Sequence, residues 1–316
     1  MFAVLAVTFP FFALVLCGWL AARLRVVPLS AIAGLNTFVL YFALPCLLYR
    51  FGAGTPLAQL LDPVAAGVYF GVALVLVAAT VALTRRRWGW SDASFAALVT
   101  AFPNSGFMGV PLLVALVGPH SAGPVILTIA VDMCLTSSLC VALSRLGVGG
   151  MQGMAAALRQ ALRGVAANPL PISIALGAMA SAWGWRLWAP LERSVAMLAD
   201  AASPVALFTI GAVLARSQLD RHEAVAPREY LPLALVKLLV HPALVWAGGW
   251  LAMRLGLALA PATLVVLVLV AALPSASNVA MLVERFGAHT GRVAHIILVS
   301  TALAFLSFSA LVAWLV

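Results

Sequence analysis

Apolar residues run along this chain in long unbroken stretches, and the short loops between them hold most of the charge. A helix needs about 20 mostly apolar residues to cross a bilayer. Ten stretches fit that requirement: Phe2–Leu20, Ile32–Leu48, Pro63–Leu83, Ala93–Val117, Val125–Leu143, Leu170–Trp188, Val195–Ala215, Tyr230–Leu251, Ala262–Val283 and Val293–Val316. Barrel strands would instead alternate over about 10 residues. The pattern therefore predicts an all-α integral membrane protein with ten transmembrane helices. It changes between Ser144 and Asn168. Gly147, Gly149 and Gly150 open that segment, then Met151, Met154, Ala155, Leu158, Leu162 and Val165 recur at helical spacing, with Arg159 and Arg163 on another face. This is the pattern of a short helix lying on a membrane surface. It divides the chain into residues 1–145, a linker at 146–168 and residues 169–316, with five spans on each side.

Composition agrees with that reading. Hydrophobic residues make up 65% of the 316 and charged residues 9%, against about 25% charged in soluble domains. The net charge of +9 raises nucleic acid as a partner, but its placement argues for topology instead. With the amino terminus outside, the inward loops carry Arg23, Arg25, Arg85, Arg86, Arg87, Arg145, Arg159, Arg163, Arg216, Arg221, Arg228, Arg285 and Arg292, which is 13 of the 18 Lys and Arg. The outward loops carry Arg50, Arg186, Arg193 and Arg254, and Lys237 lies within a span. Inward loops are the basic ones, so both termini are expected outside a cytoplasmic (inner) membrane, with the lipid bilayer as partner and no nucleic acid. The first stretch has no basic residue before its apolar run and is read as a span, not a cleaved signal. Cys17, Cys46, Cys134 and Cys140 lie in apolar spans without metal-like spacing and are read as packing residues. No metal and no cofactor is expected. Phosphate-binding glycine loops, zinc-binding His pairs and nucleophile turns are missing from the sequence, so the chain is not expected to be an enzyme.

The two halves resemble each other locally. Span four contains Ala101-Phe-Pro103-Asn104-Ser-Gly106, and span nine contains Ala272-Leu-Pro274-Ser275-Ala-Ser277-Asn278. Each leads to a similar loop, Gly118-Pro-His120 in one and Gly287-Ala-His289 in the other. An odd number of spans per half forces the second copy to insert upside down, so the halves are expected to be inverted repeats. Proline inside a helix removes a hydrogen bond and clashes with the preceding turn. In span four, Pro103, Gly106, Gly109 and Pro111 crowd together around Asn104 and Ser105. Spans four and nine are accordingly expected to be broken. Broken helices at membrane depth expose half-helix ends that attract ions and anions. The candidate substrate contacts are Pro103, Asn104, Ser105, Gly106, Pro274, Ser275, Ser277 and Asn278, the amides because they both donate and accept. As packing groups, the same residues would only satisfy freed backbone or bond between helices.

Three ionisable residues well inside spans are candidates, while Asp200 lies nearer the outer end of span seven. A charge at the bilayer centre costs at least about 2.5–3.5 kcal/mol, so Asp132 in span five is read as a candidate proton carrier. Lys237 in span eight has His241 one turn on. It is a candidate partner for Asp132 or for an anionic substrate, unless it snorkels to the surface. His241 is the third candidate coupling group. Gly67 and Gly71 form a small-xxx-small pair that would suit close helix packing.

Pro103-Asn104-Ser-Gly-Phe-Met-Gly109-Val-Pro111-Leu-Leu, together with the stretch from Ala272-Leu-Pro274 to Glu284-Arg-Phe-Gly287, resembles the auxin efflux carrier family, especially its shorter bacterial members. The resemblance implies two inverted five-helix repeats whose fourth and ninth helices cross at broken segments beside the substrate. Spans one, two, six and seven would form a scaffold that is often dimeric, which makes a homodimer an expected assembly. The implied activity is secondary transport of small organic anions, carboxylates such as malonate or auxin-like acids, with a proton as coupling ion. Span three has no interior acidic residue, so Asp132 is the proposed substitute for a proton site there. A sodium-coupled ten-helix symporter of the bile-acid symporter type is the alternative, with Asn and Ser groups holding sodium. A membrane-embedded enzyme or a channel ranks below both.

Overall fold

A computed structural model describes residues 2–219 and 225–315. These form helices α1 (Phe2–Arg23), α2 (Ala31–Gly54), α3 (Pro63–Ala101), α4 (Ser105–Val117), α5 (Pro119–Ser144), α6 (Leu146–Ala166), α7 (Pro169–Trp183), α8 (Ala189–Leu219), α9 (Pro227–Arg254), α10 (Pro261–Ala271), α11 (Val279–Phe286) and α12 (Thr290–Leu315). Among the described residues no strand forms; the one extended pairing is an isolated antiparallel bridge between Pro103 and Ser275. Seven helices are long and apolar enough to cross a membrane, or eight if α7 and the part of α6 after Gly150 form one bent span. The chain is a multi-pass membrane protein.

Several boundaries differ from those the sequence predicts, for local reasons. The third predicted span and the first part of the fourth run together as α3, interrupted only at Gly89, whose φ of 76° and ψ of 175° turn the chain. Glycine alone adopts that conformation without strain. Span six stops at Trp183 because Gly184 takes the left-handed conformation (φ 65°) that caps a helix end. Residues 185–188, expected inside the span, lie outside it. The linker is helical, as its spacing predicts, but breaks at Gly150 (φ 54°). Gly67 and Gly71 meet no neighbour: a Cβ added at either would find nothing within 4 Å. Arg221 lies outside the described residues.

Close packing is made by other glycines. Lipid chains are as apolar as leucine, so helices in a bilayer associate by tight contact between small residues. A Cβ on Gly18 of α1 would stand 1.9 Å from the Phe208 carbonyl oxygen of α8, and one on Gly211 of α8 would stand 1.9 Å from the Val15 oxygen of α1. In the same way Gly177 of α7 sits against Tyr49, Gly52 and Ala53 of α2. These two backbone-to-backbone pairs tie α1 to α8 and α2 to α7. A salt bridge from Arg50 to Asp200 (2.6 Å) adds a link between α2 and α8.

A second group of helices is tied by charge. Arg292, expected in a loop, starts α12 with its side chain only 7% exposed. Its guanidinium donates to Asp92 Oδ2 (3.1 Å) in α3 and to Glu229 Oε2 (3.1 Å) in α9, and it lies 3.9 Å from the Trp88 ring centroid. Arg87 also donates to Glu229 (3.0 Å). Removing one member of a buried ion-pair network leaves the others desolvated and unpaired. Arg292→Ala is therefore expected to lower stability by about 3 kcal/mol, read as a reduced melting temperature in detergent, with Arg292→Lys recovering part of it. An unchanged melt would show that Asp92 and Glu229 find water instead.

Candidate functional site

The polar centre begins with prolines. Three π-helical turns, Val39–Ala43, Ser105–Gly109 and Val236–Val240, each precede a proline by two residues: Pro45, Pro111 and Pro242. A proline has no N–H for the carbonyl four residues back, and a wider turn is one way to redistribute the freed bonds. A fourth π turn, Asp132–Thr136, starts at Asp132 itself. Two of the four turns thus carry Asp132 and Lys237, and a third adjoins Asn104.

The predicted breaks are present, and they meet. Helix α3 ends at Ala101 and α4 begins at Ser105, while α10 ends at Ala271 and α11 begins at Val279. The Asn104 amide donates to the Pro274 carbonyl (2.8 Å), and the Ala276 amide donates to the Phe102 carbonyl (3.0 Å). Each break thus satisfies the backbone that the other exposes, where no water is at hand in the bilayer core. Ser275 N–H donates to Ser300 Oγ of α12 (3.1 Å), which fixes the second break to a neighbouring helix. Asn104, Ser105 and Ser275 are buried, and Ser277 and Asn278 are half-buried. Three oxygens here, Asn104 Oδ1, Ser275 Oγ and Asn278 Oδ1, are enclosed without a hydrogen-bond partner among the described residues. An enclosed polar atom normally has one, so these three are ready to receive a donor or a cation. The Ser105 hydroxyl reaches only the Pro103 carbonyl, at 3.5 Å. A Cβ on Gly106 would meet nothing within 4 Å, so this glycine leaves open space beside the break.

A cavity of about 620 Å³ reaches the crossing point at Phe102 and Asn278. Its walls come from α2 (Asn36, Thr37), α5 (Ser137, Ser138), the linker helix (Gln160, Gly164) and α8 and α11 (Arg216, Glu284, Arg285). Its lining thus includes the linker helix and the basic residues near the ends of α8 and α11. Two smaller cavities, about 460 and 50 Å³, adjoin it and include Ser277. The Ser138 hydroxyl is a further enclosed group without a partner.

The intramembrane ionisable residues form a chain of contacts. Tyr69 of α3 donates to Asp132 Oδ2 (2.8 Å), and Thr136 donates to Asp132 Oδ1 (3.1 Å). Lys237 does not snorkel: it is fully buried, 3.1 Å from His241 Nδ1, and donates to the Ala271 carbonyl (2.6 Å). Ala271 ends α10, so the ammonium sits at the negative end of that half-helix, where a cation is favoured. The Tyr69 and His241 rings, 6.0 Å apart between centroids, bring the two pairs side by side. No salt bridge joins Asp132 to Lys237 among the described residues. Tyr69 was not among the sequence candidates. A buried tyrosine within an apolar span, whose hydroxyl needs a partner, was the signal for it.

Comparison with known proteins extends the picture over the whole chain. The membrane transport protein family matches residues 3–146 and 152–312, leaving out the short stretch around the Gly150 break. A protein of Rhizobium meliloti (strain 1021) named "Putative malonate transporter" is 31% identical over 296 residues, covering 93% of this chain and 90% of that protein. With its apolar helices and a family match along nearly its full length, the chain belongs to the membrane transport protein family, that of the auxin efflux carriers.

Proposed function

We propose that this protein is a secondary transporter that carries small organic anions, carboxylates such as malonate or auxin-like acids, by alternating access across the cytoplasmic membrane. The observation that carries the reading is the backbone exchange between the two broken helices, beside a cavity that reaches them from one side. Crossed half-helices are a usual way to build a transporter site near the midplane. The substrate rests against Pro103, Asn104, Ser105 and Gly106 on one side and Pro274, Ser275, Ser277 and Asn278 on the other. The relative's malonate name supports a carboxylate as cargo.

In this reading the chain has ten spans. The second part of α3 with α4 is span four, and α10 with α11 is span nine. The halves are inverted repeats, and the glycine contacts support this. Pro10, Gly18, Pro45 and Gly52 of the first half correspond to Pro169, Gly177, Pro204 and Gly211 of the second, each 159 positions on by subtraction. The α1–α8 and α2–α7 contacts are then one contact made twice. Those four helices are the scaffold; the charge-tied helices around Arg292 are the unit that moves. Both termini face outward, and the cavity opens inward.

Proton coupling runs through Asp132, with Tyr69, Lys237 and His241 beside it. A carboxyl sealed among helices is cheapest when neutral, so a proton must accompany its passage between states. The second reading, sodium coupling, is favoured by the enclosed oxygens of Asn104, Ser275 and Asn278, because sodium takes neutral oxygen ligands. The test is uptake of labelled malonate into proteoliposomes under an imposed pH gradient. Saturable uptake that rises with the gradient is expected, and Asp132→Asn should remove the gradient dependence. Uptake that ignores the gradient but requires sodium would replace the proton by sodium; no carboxylate uptake at all would sink the carboxylate reading.

A further inference from the structure

Arg216 stands where three cavities meet. It lines the 620 Å³ cavity with Phe102 and Asn278, the 460 Å³ cavity with Ser277, and the 50 Å³ cavity with Phe107 and Ser277. Glu284 lines the same three. The two residues lie on different helices, α8 and α11, and among the described residues neither has a salt-bridge partner. The other cations near the crossing cannot serve the same space. Lys237 is sealed and bonded to the Ala271 carbonyl, and Arg285 lines only the largest cavity.

We infer that Arg216 selects dicarboxylates, holding one carboxylate of the substrate while the other reaches the Ser277–Asn278 end of the broken helix. The inference rests on the carboxylate reading above. A guanidinium presents a planar fork that matches a carboxylate with two parallel hydrogen bonds. Ser277 supplies a hydroxyl donor in the lining of the same small cavity, two residues before the eight-residue α11. A dicarboxylate satisfies both positions at once; a monocarboxylate satisfies one. Glu284 lines the same three cavities. Its negative charge opposes a carboxylate held there, and its removal tightens binding.

The experiment is uptake kinetics in proteoliposomes with labelled malonate and labelled acetate, for the wild-type protein and for Arg216→Gln, Arg216→Lys and Glu284→Gln. Each variant is first checked for an unchanged melting temperature in detergent. The expected result is a malonate KM raised ~10–100-fold in Arg216→Gln, partial recovery in Arg216→Lys, a lowered malonate KM in Glu284→Gln, and acetate KM moved little throughout. Malonate and acetate KM rising together would make Arg216 a general anion attractor and overturn the assignment. So would malonate kinetics unchanged in Arg216→Gln. A wild-type protein that moves neither acid overturns the carboxylate reading itself, an outcome distinct from wild-type transport that is indifferent to Arg216.

Discussion

Asn104→Ala is expected to abolish substrate-dependent transport while leaving the protein folded. The backbone N–H of residue 104 holds the Pro274 carbonyl, and alanine keeps that bond. What disappears is the side-chain amide, whose NH2 group can donate to a carboxylate and whose oxygen is enclosed at the crossing without a partner among the described residues. Losing a hydrogen bond to a charged ligand costs about 1.5–3 kcal/mol, or ~10–150-fold in affinity. At ordinary substrate concentrations transport then falls to background. The measurement is malonate uptake, with the melting temperature as the folding control. Normal uptake by a folded Asn104→Ala protein would remove the crossing as the binding site.

The second large effect is structural. Gly211→Val should give no stable, monodisperse protein. A single added carbon at that position would lie 1.9 Å from the Val15 oxygen and 2.7 Å from the Trp19 nitrogen. Both are backbone atoms, which cannot turn aside as a side chain can. Helices α1 and α8 would have to part along their length, a larger disturbance than the about 1–3 kcal/mol of ordinary overpacking. Gly71→Val is the matched control, since nothing lies within 4 Å of a Cβ there. Size-exclusion profiles of the two variants give the comparison. Equal behaviour would mean that the α1–α8 contact is not what holds these helices together.

Those glycines also mark where sequence reading ran out. Gly67 and Gly71 have the spacing associated with close packing, yet they face open space; Gly18 and Gly211, whose partners at that spacing are the alanines Ala22 and Ala215, make the contact. Spacing within one helix cannot say which face meets a neighbour in so alanine-rich a chain. In the proposed repeat reading, an offset of 159 would have paired these contacts, but it differs from the spacing of 171 between Pro103 and Pro274. On that reading the offset changes between Gly52 and Pro103 in the first half, and between Gly211 and Pro274 in the second, so no single offset aligns the halves. The breaks at Pro103 and Pro274 were legible because proline and glycine act locally, through the backbone. That the breaks bond to each other was not, since it depends on two segments about 170 residues apart arriving side by side.

The charged residues divide along the same line. Lys237 and His241, four apart on one helix, were readable as neighbours, and their rings of contact follow from helical geometry. The Ala271 carbonyl that accepts from Lys237 and the Tyr69 hydroxyl that donates to Asp132 come from other helices. Arg292 looked like one more basic loop residue, because Asp92 and Glu229, which neutralise it, lie 200 and 63 positions away.

The two amide-to-carbonyl bonds at the crossing belong to the main chain, and the side chains there take no part in them. In the proposed reading, substitution at residues 102, 104 or 276 can therefore alter the chemistry offered to a solute without dissolving the joint that organises it. If the crossing is the binding site as proposed, structure and selectivity are written in different atoms of the same few residues, and one cargo can be exchanged for another through small side-chain changes that leave the main-chain joint in place.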